Sequence, residues 1–288
     1  MMPEPYLAKP AAAISILQQY GIRTQKKYGQ NFLIDAHIPE KIVDAAGVSG
    51  ADCILEIGPG IGTLTQYLAA RAGRVIAVEV DTGLLPVLSE TLAEYENTLV
   101  ISADVLKVDL KKLIEDHAQD RPVKVVANLP YYVTTPILMS MLEAQLPVLS
   151  YTLMVQKEVA DRMQAAPGTK DYGALSLAVQ YYTVPEVVLQ VSPGCFLPKP
   201  KVGSTVIRLT GRPARLAENE KEALFRIIRA VFSQRRKTLY NSLRHAAELS
   251  YTAGQITAAL KSCRLRPDIR GEALSLEQFI ELEKALEQ

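Results

Sequence analysis

Between Asp52 and about Leu209 the chain alternates short apolar runs with amphipathic stretches. The apolar runs are CILEIG (53–58), RVIAVEV (74–80), TLVISA (98–103), VKVVAN (123–128), YTLMVQ (151–156) and STVIRL (204–209). Each is short, rich in β-branched residues and nearly continuous in its apolarity, the signature of a strand buried on both faces. Residues 62–72, 83–95 and 136–145 carry apolar positions at helical spacing between them. The alternation predicts an α/β fold, a mostly parallel sheet covered on both sides by helices. Two later strands, around 176–190 and 203–210, are less cleanly separated by helix and are expected to pair antiparallel at the edge. The first 50 residues read as helical, interrupted by the loop RTQKKYGQNFLID (23–35).

Near TGRPARLAENEKEA (210–223) the pattern changes. No strand candidate follows, and helices are expected over 218–232, 235–248, 252–262 and 275–287. The boundary falls near Gly211. It gives an α/β domain over 1–211 and a small all-α domain over 212–288.

Composition narrows the function classes. The chain has 288 residues, a net charge of +1, 48% hydrophobic and 22% charged residues, which are ordinary values for a soluble globular protein. Net charge alone therefore announces no nucleic-acid binder, and any basic surface must be local. No apolar run approaches the roughly 20 residues of a membrane span, and the N-terminus lacks the pattern of a signal peptide. Cys53, Cys195 and Cys263 are far apart and odd in number, and His37, His117 and His245 are equally scattered. Neither a disulfide framework nor a metal cluster is expected. No nucleophile elbow of the GxSxG kind occurs. The expectation is a cytoplasmic, metal-free monomer that is not a covalent hydrolase.

The stretch ILEIGPGIGTLTQYLA (54–69) carries the first chemistry. An apolar strand holds Glu56, a turn follows with Gly58, Gly60 and Gly62, and a helix begins near Thr63. In an open parallel sheet, ligands bind at the carboxyl ends of the strands, and glycines let the backbone approach them. VIAVEVD places Glu79 at the end of the next strand, where an acid binds ribose hydroxyls. VISADVL places Asp104 at the end of the third, where a carboxylate accepts from an adenine amino group. A pyrophosphate would favour GxGxxG spacing and would be repelled by Glu56, which suits a cationic ligand group. The pattern resembles the S-adenosylmethionine site of Rossmann-like methyltransferases.

The fourth strand ends in NLPYYVTTP (128–136). Asn and Pro are ordinary turn formers, yet Asn128 falls on the same sheet edge as Gly58, Glu79 and Asp104. Methyltransferases acting on the amine of adenine carry such a tetrapeptide. The Asn128 amide oxygen and the Leu129 carbonyl would accept the two amine hydrogens and localise the nitrogen lone pair. Pro130 fixes the backbone, and Tyr131 offers a stacking face. Tyr132 is expected to be core packing.

With these residues assembled, the chain resembles the ribosomal RNA adenine N6-dimethyltransferase family, within it the bacterial small-subunit (kasugamycin-resistance type) branch. The resemblance runs through KKYGQNFLID, LEIGPGIGTLT, AVEVD, ADVLK, NLPYYVTTPI, QKEVADRM, YGALSLAVQYY, FLPKPKVGSTVIRL, FSQRRKTLYNSL and RPDIRGEALSLEQFIEL. It implies a Rossmann-like domain with a mostly parallel seven-stranded sheet. It implies cofactor contacts from Asn31 and Leu33, completed by Gly58, Glu79, Asp104 and Asn128; the residue pattern itself adds Glu56 on the strand and Gly60 in the glycine turn. It further implies that Phe196, in FLPKP, stacks on the target adenine opposite Tyr131. The implied substrate is a pair of adjacent adenosines in the 3′-terminal hairpin loop of 16S rRNA, within the small ribosomal subunit or its precursor. Gly203 and Tyr240 depart from the acidic and basic residues common at these places in the family.

From Arg226 to Ala247 no acidic residue occurs, while Arg226, Arg229, Arg235, Arg236, Lys237 and Arg244 are basic. Such a face supplies phosphate contacts. Lys26 and Lys27, and Lys199 with Lys201, form two further basic spots. The alternatives are a large-subunit (23S) rRNA adenine methyltransferase of the macrolide-resistance type, or a non-catalytic ribosome-assembly factor on the same fold.

Overall fold

The computed structural model describes residues 4–22 and 30–287. The chain divides into two compact units, Met1–Ala160 with Pro185–Gly211, and Asp161–Val184 with Arg212–Gln288.

In chain order, the first unit carries α1 (Pro10–Gln19), β1 (Phe32–Leu33), α2 (His37–Ala45), β2 (Cys53–Ile57), α3 (Thr63–Ala69), β3 (Arg74–Glu79) and α4 (Leu85–Thr91). β4 (Thr98–Ser102), α5 (Leu110–His117), β5 (Val123–Asn128), α6 (Thr134–Glu143) and β6 (Val148–Gln156) follow. α7 (Lys157–Gln164) and α8 (Ala174–Tyr182) lead to β7 (Thr183–Val191), β8 (Phe196–Leu197) and β9 (Ser204–Gly211).

Among the described residues the sheet has seven strands in the order β4-β3-β2-β5-β6-β9-β7. β4 through β6 run parallel, and β9 returns antiparallel against β6. The order reverses between β2 and β5, so the crevice of a doubly wound sheet opens where those two strands end. Every residue of β2 is buried. This is the continuous apolar pattern of a central strand, and Glu56 is its one charged member.

The N-terminal segment is held on by a buried amide. Gln66 of α3 accepts the backbone N–H of Tyr6 (3.1 Å) and Leu7 (3.2 Å), and donates to the Thr91 carbonyl (2.9 Å). Buried polar groups persist when satisfied in this way. Around the clasp, Leu7, Ile16 and Leu17 share an apolar cluster with Phe32, Ile61 and Val87. Phe32 is thereby seated beside the glycine turn.

The second unit adds α9 (Glu218–Ser233), α10 (Leu239–Arg244), α11 (Ala253–Ser262) and α12 (Leu276–Leu286). Its core joins Leu224, Ile228, Leu243, Leu260 and Phe279, and also Tyr172, Leu177 and Tyr181 from 161–184. The apolar pattern predicts strand around 176–190 and puts 161–184 in the first domain. The structure instead folds 174–182 as α8 and groups it with the helical unit. An apolar run such as ALSLAVQYY fits a buried helix as well as a strand by pattern alone. Here Gly173 N–H is capped by Ser176 Oγ at 3.0 Å, which favours the helical start. The expected helix over 235–248 shortens to α10, whose cap Thr238 accepts from Asn241 N–H.

Candidate active site

The carboxyl ends of β2, β3, β4 and β5 surround a cavity of about 380 Å³ within the first unit. Its walls include Asn31, Leu33, Glu56, Gly58, Gly60, Glu79, Asp104, Asn128, Leu129, Pro130 and Tyr131, which the sequence scatters over a hundred positions. That volume lies in the range of small-molecule sites.

Glycine is needed where the turn closes. Gly60 has φ +63°, and a Cβ there would stand 3.1 Å from the Phe32 ring. Its N–H donates to Glu79 Oε2 at 3.1 Å, joining the turn to the end of β3. Replacement by Ala forces a left-handed backbone onto an L-residue, costing about 1–2 kcal/mol, and pushes Phe32 away. Gly60→Ala is expected to lower the free energy of unfolding by that amount and to weaken cofactor affinity, read by urea titration and calorimetry. A variant of unchanged stability would remove the crowding argument.

Glu79 receives a second backbone donor, Asp81 N–H at 2.8 Å. Burial pushes its carboxyl above the ordinary range, and those two donors pull it part of the way back. A carboxylate has about four acceptor positions, so it can still take two ribose hydroxyls. Asp104, past the end of β4, accepts Leu106 N–H at 3.1 Å and lies 3.6 Å from the Lys107 amine. That lysine is almost fully exposed, so the pair is weak.

Glu56 is the unusual member. Its side chain is 1% exposed and Oε2 has no hydrogen-bond partner. Burial pushes the carboxyl up to about 8, the neighbouring Glu79 adds to the rise, and the Thr65 hydroxyl beside it works the other way. An orphaned acid in the wall of a cavity fits a ligand that brings positive charge, as the amine and sulfonium of S-adenosylmethionine do.

Asn128 closes β5, and Leu129 N–H extends the ladder by bonding the Met154 carbonyl at 3.0 Å. The Asn128 amide nitrogen donates to the Asn31 carbonyl at 3.3 Å. With its NH2 turned to the N-terminal loop, the amide oxygen is the end left to accept. Leu129 buries its side chain (1% exposed), so it offers the cavity backbone. Pro130 packs on the glycine turn, 3.7 Å from a Cβ built at Gly58. Tyr131 is pinned by a 2.6 Å hydrogen bond between its hydroxyl and Ser204 Oγ.

One expectation changes, and two residues stand among neighbours the sequence did not show. Phe196 is not among the residues that line the cavity. β1 and β8 pair antiparallel, Leu33 opposite Phe196, and the Phe196 ring is 2% exposed in a cluster with Leu33, Ile38 and Val206. Burying such a ring is worth about 1.5–3 kcal/mol over exposing it. Tyr132 is not core packing, since it is 55% exposed and lines the cavity. Arg235 is engaged in its own unit: it donates to Glu272 Oε2 at 2.9 Å and to the Lys170 carbonyl at 2.7 Å.

Arg235 is exposed nonetheless, as are the other basic candidates: Arg229 on α9, Arg236 and Lys237 between α9 and α10, and Lys199 and Lys201 after β8. Lys26 and Lys27 lie outside the described residues. Among the described residues, no group of three or more His, Cys, Asp or Glu is placed to hold a metal, and no helix is long and apolar enough to cross a membrane.

Val80 and Leu106 join the cavity without a motif to mark them. Both are apolar, more than a third exposed, and line the cavity, Val80 directly after Glu79 and Leu106 two positions after Asp104. A signal was present, because an apolar residue just beyond a strand-end acid is unexpected in a polar loop.

Residues 21–288 match the family described as Ribosomal RNA adenine dimethylase. A protein of Lachnoclostridium phytofermentans named Ribosomal RNA small subunit methyltransferase A is 52% identical over 279 residues, 96% of each chain. One of the same name from Geobacillus thermodenitrificans is 50% identical, covering 97% of each chain. Among solved structures, the 23S rRNA methyltransferase ErmE aligns with TM-score 0.67 and 28% identity, covering 90% of this chain and all of its own. A dimethyladenosine transferase from Plasmodium falciparum aligns with TM-score 0.71 at 24% identity, over 87% of this chain and 95% of its own, which speaks to the fold. With residues 21–288 matched by the family model and relatives about half identical over nearly its whole length, the chain belongs to the ribosomal RNA adenine dimethylase family.

Proposed function

We propose that this protein transfers methyl groups from S-adenosylmethionine to the N6 amines of two adjacent adenosines in the 3′-terminal hairpin loop of 16S rRNA. The observation that carries the reading is the set of the Asn128 amide, whose nitrogen is held by the Asn31 carbonyl. An amide fixed this way presents an acceptor to the adenine amine, and a backbone carbonyl at Leu129 is the second. Two acceptors on one NH2 pull its lone pair out of the ring and aim it. Glu79 and Asp104 would hold the cofactor's adenosine, and Glu56 its cationic end. Bound there, the cofactor supplies an electrophilic methyl group. Tyr131 holds the flat base by one face, worth about 1–3 kcal/mol.

The small subunit is the favoured substrate because relatives about half identical over nearly full length bear that name. The test is transfer of labelled methyl to small subunits lacking the modification, with large subunits and free RNA as controls. Label found only in large-subunit RNA would move the activity to the reaction in ErmE's name.

The helical unit is read as supplying phosphate contacts through Arg229, Arg236 and Lys237, with Lys199 and Lys201 contributing from the first unit. Removing Arg236 and Lys237 together by Ala is expected to weaken subunit binding. It should also flatten the dependence of log K on log salt by about 1.4–1.8 units, two phosphate contacts' worth. Arg235→Ala should instead loosen the helical unit, through the lost Glu272 and Lys170 bonds. Filter binding across a salt series separates the two, and an unchanged slope in the double variant would return that face to solvent.

A further inference from the structure

We propose that Tyr132 is a substrate-binding residue, its ring carrying the nucleobase next to the adenosine being methylated. The inference rests on the adenine-amine reading above and deepens it.

Tyr132 is the large aromatic at the mouth of the cavity, 55% exposed and part of its wall. A singly exposed apolar residue needs no explanation, but this one is presented by a braced turn. Leu129 N–H bonds the Met154 carbonyl, and the Pro130 carbonyl accepts both Val133 N–H (3.2 Å) and Thr134 Oγ1 (2.9 Å). Pro130 fixes its own φ. The two tyrosines therefore leave one rigid turn at different depths. Tyr131 lies deeper, tied to Ser204, and Tyr132 stands at the mouth.

Strand order says which ligand Tyr132 meets. Neighbouring strands lie about 4.8 Å apart, so β5 stands roughly 10 Å from β3 and 14 Å from β4. The groups suited to the cofactor's nucleoside, Glu79 and Asp104, lie at the ends of those two strands. Tyr132 follows β5, on the side of Asn128, and belongs with the substrate. An adenosine that enters the cavity loses its stacking on the next base, at a cost of a few kcal/mol. A second aromatic face at the mouth of the cavity restores that contact for the neighbour left behind. Two consecutive tyrosines then serve two consecutive bases.

The test compares wild type, Tyr132→Ala and Tyr132→Phe on unmethylated small subunits and on a hairpin oligonucleotide with 2-aminopurine beside the target adenosine. Tyr132→Ala is expected to raise KM between about 5-fold and 150-fold, the span of one base–aromatic stack, with kcat and cofactor affinity nearly unchanged. The 2-aminopurine quench on binding should be lost in Tyr132→Ala and kept in Tyr132→Phe, which a merely structural role would not produce. An unchanged KM and quench in Tyr132→Ala overturns the proposal, as does a fall in cofactor affinity with the quench intact. Wild-type transfer only to large subunits would sink the small-subunit reading alone, and the same comparison would then be made with that RNA. Absence of transfer and of quench with every RNA would sink both.

Discussion

Asn128→Ala is expected to cut methyl transfer by about 10²–10³-fold, the cost of losing one preorganised polar group at a reacting centre. The amide does two things at once. Its oxygen accepts from the substrate amine, and its nitrogen holds the Asn31 carbonyl at 3.3 Å. Losing the second bond loosens the loop carrying Asn31 and Leu33, so cofactor affinity should fall by about 2- to 13-fold, one neutral hydrogen bond. Asn128→Asp separates the roles. A carboxylate still accepts from an amine, but it has no N–H for the Asn31 carbonyl and meets it oxygen to oxygen. If acceptance alone matters, Asp keeps most of the rate; the geometry predicts that it does not. Single-turnover transfer with labelled cofactor, alongside calorimetric affinity, reads both effects. Near-normal turnover in Asn128→Ala would remove this residue from the mechanism.

The second large effect is a pH dependence of cofactor affinity. The Glu56 carboxyl, pushed up to about 8 by burial and by the neighbouring Glu79, is protonated in the empty cavity at neutral pH. A bound cation favours the ionised form, so binding lowers this pKa and releases a proton. The complex then carries fewer protons than the free protein, and affinity rises with pH below about 8 and levels above it. The steepest slope one group allows is about tenfold per pH unit. Glu56→Gln should bind about 10- to 150-fold more weakly at the plateau, the worth of a charge-assisted hydrogen bond, and lose the slope. That loss also separates Glu56 from Glu79, whose carboxyl is raised too. Titrations with S-adenosylmethionine and S-adenosylhomocysteine in buffers of different ionisation enthalpy would show which cation responds: a shared slope points to the amine, one confined to the former to the sulfonium. Wild-type affinity flat from pH 6 to 8 would end the argument.

Both predictions join residues that were visible in the sequence to partners that were not. The alternation of apolar runs and amphipathic stretches was enough for a parallel α/β sheet, because central strands are apolar on both faces and little else is. Strand-end positions then picked out Glu79, Asp104 and Asn128, since a doubly wound sheet opens its crevice there. The family resemblance added Asn31 and Leu33, which no periodicity marks. What stayed hidden depends on contacts between distant segments. The apolar run at 174–182 went to helix because its buried face meets the helical core around Phe279. Pattern cannot see that neighbour.

The sequence by itself determined the sheet, the glycine turn and the identity of the polar groups at its edge. These follow from local spacing and from what a buried strand will tolerate. Only the tertiary structure decided how those groups are used. Phe196 lies in the core because β1 pairs with β8. Tyr132 stands at the mouth because a braced turn holds it there, and Arg235 is bonded to Glu272. Burial and long-range hydrogen bonding set each outcome, and they act between residues far apart along the chain.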